Sequence, residues 1–436
     1  MNLSLSSRPS RSRLILSAGA LLLSAAPLAA QTAAPTFNTG DTAWVLACAA
    51  LVMLMTPGLG LFYGGMVRRK NVLGTILQSL IMVGLIGVQW VIMGYSLAFS
   101  PGNEMVGGFS WAWLHNLPPF AASAPTIPHA AFSAYQMMFA IITPALITGA
   151  FAERVRFRGF VLFSLLWATL VYDPVAHWIW GGGYWAQQGG LDFAGGAVVH
   201  ITAGFSALAL ALLLGKRRGY GVERMVPHNM TMVLVGTGLL WFGWFGFNAG
   251  SSLAANGIAA NAFLATNTAG AVAALFWCVL EAVHRGKASA LGAASGAIAG
   301  LAAITPAAGY VGVPEALVIG VTASLLCYGA ILLKVKLGYD DSLDAFGVHG
   351  VGGLWGVLAT GILANPAYGG HAGWFFGNRA QFVVQAQMAM SVAAFSLVAT
   401  VLLFLVVDKT VGFRAEAKDE DLGLDLSQHG EEGYGA

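Results

Sequence analysis

The sequence predicts an all-α polytopic membrane protein with eleven transmembrane helices, and three observations carry that prediction. Of its 436 residues, 57% are hydrophobic and only 9% charged, against roughly 25% charged residues in a soluble domain. Apolar runs of about 20 residues, the length that crosses a bilayer as a helix, recur along most of the chain. Lys and Arg gather in every second break between those runs, which sets an orientation by the positive-inside rule.

Taken in order, the chain opens with MNLSLSSRPSRSRLILSAGALLLSAAPLAAQ. There Arg8, Arg11 and Arg13 precede a short apolar stretch, and small residues stand near Ala29 and Ala30. This is the pattern of a signal peptide over 1–30; an uncleaved first helix is the alternative. A membrane domain over 31–408 follows, with spans expected near 43–66, 72–99, 131–151, 159–180, 194–215, 228–250, 257–282, 288–306, 313–336, 345–365 and 380–407. Basic clusters at Arg68–Lys70, Arg154–Arg158, Lys216–Arg224, Arg285–Lys287 and Lys334–Lys336 fall in alternate loops, and Arg379 stands alone among the others. The N-terminus is therefore expected outside the cell and the tail, 409–436, in the cytoplasm. By composition that tail, acidic and polar, reads as disordered.

The remaining composition narrows the function class. A net charge of +2 points to no nucleic-acid partner. Cys48, Cys278 and Cys327 lie singly in apolar runs, which excludes a disulfide framework and a thiolate metal cluster. No cofactor or metal is expected. The 57 glycines suit close helix–helix approach within a bilayer.

An internal repeat marks the functional region. The fifth span reads DFAGGAVVHITAG and the tenth DSLDAFGVHGVGG, so Asp192 precedes His200 by the interval that separates Asp341 from His349. Five spans per half would invert the second copy, giving a 5+5 repeat with a final helix left over. Eight residues of helix, about 12 Å, carry each histidine towards mid-bilayer. Facing one another across the pseudo-twofold axis, one ring could donate to the other and leave a donor and an acceptor for a passing molecule. A packed pair that merely joins two helices is the structural alternative.

At these residues the chain resembles the ammonium transporter family (the Amt/Mep/Rh group) over about 40–436. The motifs are PGLGLFYGGMVRRKNVL, GAFAERVRF, VAHWIWGGG, DFAGGAVVHITAG, GWFGFNAGSS, GAIAGLAAITPAAGY and DAFGVHGVGG. The resemblance implies a homotrimer with one hydrophobic pore per subunit, in the inner membrane of a bacterium, serving nitrogen metabolism. It carries the twin pore histidines onto His200 and His349, and an outer cation site onto Phe139, Trp180 and Ser251. The gating phenylalanines match Phe139 and Phe247, and Asp192 matches a supporting aspartate. Tyr135 stands where many members have Phe, and its role is left open. Trp180 favours the Amt branch. Methylammonium is the expected surrogate substrate. The tail resembles a segment that packs on the cytoplasmic face, where a PII-type signal protein binds.

The residue types fit this reading. A small cation over a tryptophan face gains roughly 0.5–2 kcal/mol, and Ser251 offers an acceptor for one N–H, a packing serine bonded to a carbonyl being its alternative. Asp192, Asp341 and Asp344 are also placed to cap helices, and Asp173 and His177 are expected to pair at the outer end of the fourth span. With no carboxylate expected deep in the spans, a cation would cross the bilayer centre at a cost of roughly 3–17 kcal/mol. Ammonium titrates about two units above neutral pH, so shedding its proton costs only roughly 3 kcal/mol. Two rivals stand beside a conducting pore that passes ammonia, with or without separate proton transfer. One is an ammonium sensor with little flux, which the short tail disfavours. The other is a haem-binding oxidoreductase that uses the paired histidines as ligands.

Overall fold

The structure, a computed structural model, describes residues 36–434. Met1–Phe37 separates as a unit of its own, of which only residues 36 and 37 are described, so the expected signal peptide lies outside the described residues. From Asn38 onward the described chain is helical, with only isolated β-bridges.

Among the described residues, ten helices are long and apolar enough to cross a membrane: α1 (Thr39–Met66), α2 (Arg69–Phe99), α3 (His129–Phe151), α4 (Phe157–Gln187), α5 (Gly196–Leu214), α6 (Met230–Ser252), α7 (Gly257–Arg285), α9 (Val313–Leu337), α10 (Phe346–Leu363) and α11 (Arg379–Thr410). The eleventh, α8 (Ala290–Ile304), is apolar but short. It stops before Pro306, which has no N–H to extend a helix. The chain continues as buried turns whose carbonyls are used: Phe193 N–H donates to the Pro306 carbonyl and Asn365 N–H to that of Tyr310. Irregular backbone is tolerated at membrane depth where protein surrounds it.

The basic loops meet on one face. Arg68 pairs with Glu153 at 2.7 Å, and Arg217 binds Asp340 through two N–H groups at 2.9 Å each. Fully buried Arg154 reaches the same Asp340 at 3.7 Å and donates to its carbonyl at 2.6 Å. Beside this pair burial pushes the Asp340 carboxyl up, but the Arg217 and Arg154 guanidinium groups hold it below the ordinary carboxylate range.

The tail corrects the compositional expectation, because its acidic groups have partners on this face. Its helix α12 (Ala417–Leu422) presents Glu420 to Arg414 at 2.8 Å, and Lys70 donates to the Glu420 and Asp421 carbonyls. Asp425 accepts the backbone N–H groups of Leu73 and Gly74 at 3.0 and 2.8 Å, capping the start of α2. Low hydrophobicity argues for disorder only while charges stay solvated; here they are matched.

The inverted repeat is visible in what surrounds the centre. A narrow chamber is lined by Met55 of α1, Ile142 of α3, His200 of α5, Trp244 of α6, Ile298 of α8 and His349 of α10. Those are the first, third and fifth helices of each half. The α5 and α10 backbones nearly touch: a Cβ on Gly204 would lie 2.1 Å from the Gly350 Cα, and one on Gly353 2.6 Å from the His200 Cβ. Only glycine fits at such a crossing.

Candidate functional site

Both histidines ride on π-helical turns, Gly196–Ile201 in α5 and Phe346–Gly350 in α10. Such wide turns re-aim side chains and are frequent at functional sites. Each turn is held by the aspartate ahead of it. Asp192 accepts four backbone N–H groups, from Gly195, Gly196, Ala197 and Val198, at 2.6–3.0 Å. Burial pushes its carboxyl above the ordinary range, against the downward pull of those four donors. Asp341 accepts from Ala345 and Phe346 at 3.1 and 2.9 Å. The two caps occupy opposite faces, since Trp180 donates to the Asp192 carbonyl while Lys334 donates to that of Asp341.

The rings of His200 and His349 lie with centroids 5.2 Å apart and planes only 9° from parallel. They do not hydrogen-bond each other as the sequence suggested. Nδ1 and Nε2 of His200 and Nδ1 of His349 are buried without a protein partner. Trp244 stacks on His200 at 5.6 Å and 24°, and Phe247 at 6.2 Å and 26°. Trp244 was not singled out in the sequence; its signal was the spacing of Leu240, Trp244 and Phe247 on one face of α6.

Above the histidines, on the Trp180 side, lies a vestibule of about 340 Å³ whose walls include Trp180, Ser251, Gln136 and Asp192. Phe139 links its wall to the histidines' side: it meets Trp180 edge-on at 5.9 Å and Phe247 at 4.2 Å. The two phenylalanines are tilted by 38° rather than parallel. Below Phe247 the chamber has a free volume of only about 10 Å³, room for roughly one water-sized molecule. A further cavity of about 40 Å³ runs from His349 past Ser295 to Asp344 on the basic face. No Asp, Glu, Lys or Arg lines the chamber between them.

Ser251 donates to the Phe247 carbonyl at 2.9 Å, the packing bond weighed as its alternative. That bond uses its only proton and leaves the oxygen as an acceptor. Fully buried Tyr135 places its hydroxyl 2.9 Å from the Gly246 and Phe247 carbonyls and 3.2 Å from Ser251 Oγ, so it ties α3 to the end of α6.

Asp173 and His177 do not pair. His177 contacts the Ala98 and Asn103 carbonyls, while Gln89 donates to Asp173 at 2.7 Å. Asp173 is fully buried within α4, so a carboxyl does lie inside a span, though it is not among the residues that line the chamber.

This arrangement agrees with what comparison finds. The ammonium transporter family model matches residues 43–434. The chain belongs to the ammonium transporter family. It is 48% identical over 399 residues to the ammonium transporter of Bacillus subtilis strain 168, covering 91% of this chain and 98% of that one. Against ammonium transporter Amt1 of Archaeoglobus fulgidus the identity is 49% over 400 residues, covering 91% and 100%. The crystal structure of Saccharomyces cerevisiae Mep2 superposes with a TM-score of 0.83 at 36% identity, covering 88% and 89%. A structure titled Sensor Amt Protein superposes with a TM-score of 0.83 at 28% identity, covering 89% and 98%. The family and its named relatives are transporters, not enzymes.

Proposed function

We propose that this ammonium transporter collects ammonium in the vestibule, strips it of a proton that is released to water on that side or carried across separately, and conducts neutral ammonia past His200 and His349. The observation that carries the reading is the uncharged chamber of about 10 Å³ holding two histidines with unpartnered ring nitrogens. Ammonium over Trp180, with Phe139 against that ring and Ser251 Oγ as acceptor, gains cation–π attraction. Tyr135 positions Ser251 and the α6 terminus, and Asp192 holds the α5 turn.

Beyond the Phe139–Phe247 gate, a full charge would meet the low-dielectric penalty of roughly 3 kcal/mol or more, whereas deprotonation costs roughly 3 kcal/mol and is refunded on exit. Ammonia then finds what it lacks in a dry pore. A ring nitrogen carrying a proton can donate to its lone pair, and a bare ring nitrogen can accept one of its N–H groups. Potassium has no proton to shed and is excluded. In this reading the basic face is cytoplasmic, the vestibule faces outward, the membrane is the bacterial inner membrane, and three copies assemble with one pore each. The ordered tail on the cytoplasmic face would then present the docking surface for a PII-type protein.

A sensor with little flux is the second reading, favoured by the likeness to the structure titled Sensor Amt Protein. A haem does not fit a chamber of about 10 Å³. Uptake of radiolabelled methylammonium into proteoliposomes separates the first two: the conducting account expects saturable uptake, lost when both histidines become alanine. Uptake equal to that of empty liposomes supports the sensor.

A further inference from the structure

Among the described residues, Asp173 is the one carboxyl within a span that is wholly shielded from solvent, and the transport reading leaves it unused. It sits where two further π-helical turns meet. Trp90–Gly94 begins directly after Gln89 in α2, and Ala168–Tyr172 ends directly before Asp173 in α4. Space for the Gln89 side chain comes from Gly94, where a Cβ would lie 2.6 Å from Gln89 Oε1.

Both N–H bonds of the Gln89 amide are committed. One goes to Asp173 Oδ2 at 2.7 Å and the other to Thr169 Oγ1 at 3.2 Å, which fixes the orientation of the amide. Two oxygens of the pair are left over: Asp173 Oδ1 and Gln89 Oε1 are both buried and unpartnered. An amide and a carboxyl joined by one N–H···O bond can close a ring through their two remaining oxygens. As two acceptors they repel; with one proton between them they close a cyclic pair.

No cation competes for the carboxyl. None of the ion pairs among the described residues includes Asp173. Apart from Tyr172, whose buried hydroxyl has no partner, the titratable groups on the elements packed here are otherwise engaged or distant. On α2 and α3, Tyr95 and His129 bond each other, and Tyr135 bonds carbonyls. On α4 itself His177 contacts two carbonyls, and Tyr172 lies within electrostatic reach of both Asp173 and Asp192. Ahead of α5 Asp192 is saturated by backbone donors, and on α5 His200 faces the chamber. The last helix, α11, carries its charges only near its ends, at Arg379, Asp408 and Lys409.

We infer that Asp173 is a proton-binding site, held at neutral pH as a carboxylic acid whose Oδ1–H donates to Gln89 Oε1 in a cyclic acid–amide pair. The packing of α2 against α4 then depends on one bound proton. The proton also keeps a full negative charge out of the membrane-spanning interior. This inference does not depend on the transport reading.

Infrared difference spectroscopy on the purified full-length protein at pH 7, in H2O and D2O, tests it. Subtracting the Asp173→Asn spectrum from wild type is expected to reveal one protonated-carboxyl C=O band that shifts in D2O. Loss of an ionised-carboxylate band instead would overturn the inference. Should the Asn variant fail to fold, Gln89→Leu reads the pair from the other side. A wild-type protonated-carboxyl band that moves to higher frequency in that variant supports the pair, and an unmoved band, or none in wild type, overturns it.

Discussion

His200 and His349, contributed by opposite halves of the chain, lie with ring centroids 5.2 Å apart and planes 9° from parallel, each on a π-helical turn held by an upstream aspartate. Three of their four ring nitrogens have no protein partner although they are buried. Leaving polar atoms so costs roughly 1–3 kcal/mol each, a cost with a purpose if a small solute supplies the bonds. Replacing either histidine with alanine is therefore expected to slow ammonium-driven flux roughly 5- to 150-fold, the range that corresponds to 1–3 kcal/mol. Stopped-flow pH recordings on proteoliposomes read this directly, and an unchanged rate in both single variants would refute the role.

Tyr135→Phe removes a hydroxyl shared among two carbonyls and Ser251 Oγ. The ring and its edge contact with Phe139 remain. The expected loss is about 0.5–1.5 kcal/mol of stability, with less than roughly tenfold weakening of the half-saturating ammonium concentration. Thermal denaturation in detergent and concentration-dependent uptake check the two parts.

Neighbouring Asp340 and Asp341 are expected to respond to pH in opposite senses. Asp340 is held below its ordinary range by Arg217 and Arg154, so its contribution is present above about pH 4 and fades as pH falls through its lower folded value. Burial, partly offset by Lys334, pushes Asp341 up from 3.8 to about 6. The unfolded chain gives up that proton first, so stability falls between about pH 4 and 6, by roughly 3 kcal/mol at 1.36 kcal/mol per unit. Asp341→Asn should flatten the acid-side slope, while Asp340→Asn should lower the thermal midpoint at pH 7 and approach wild type only as pH falls from about 4 through the lower folded value of Asp340. Thermal midpoints measured from pH 3 to 7 are the check.

Asp425→Ala uncaps Leu73 and Gly74 and removes the tail's bond to the start of α2. The expected cost is about 0.5–2 kcal/mol, as for other lost caps. It should appear as faster amide hydrogen exchange in 416–434 with the spans unchanged. Protection equal to wild type in the tail would contradict the contact's importance.

Gly204→Val and Gly353→Leu should each abolish the folded protein, because the α5–α10 crossing has no room for a side chain. A monodisperse variant with normal yield in size-exclusion chromatography would refute that packing.

Much of this was legible in the sequence because a bilayer permits few solutions. Span length, basic loops and the equal Asp–His intervals are set by hydrophobic thickness, charge transfer and inversion. What was not legible depended on partners distant along the chain. Residue α8 ends such as Ile304 depend on buried turns bonded to Phe193 and Asn365. The tail's order comes from acidic groups meeting Arg414, Lys70 and the N–H groups of α2. Asp173 and His177, four residues apart, looked like a pair by helical spacing, yet each found a partner on α2 or beyond it. The histidine–histidine bond was expected from chemistry alone, and the observed ring orientation, set by the π-helical turns and by Trp244, leaves the nitrogens free.

The central claim is that the transported species loses its charge before passing His200 and His349. Its most direct test is a matched pulse of ammonium or potassium to proteoliposomes holding wild type or the double alanine variant, with internal pH and current recorded together. The account predicts an ammonium-specific response in wild type, as internal alkalinisation or as a proton-carried current, with none for potassium and none in the double variant. A potassium response equal to that of ammonium, or an undiminished ammonium response without the histidines, would contradict it.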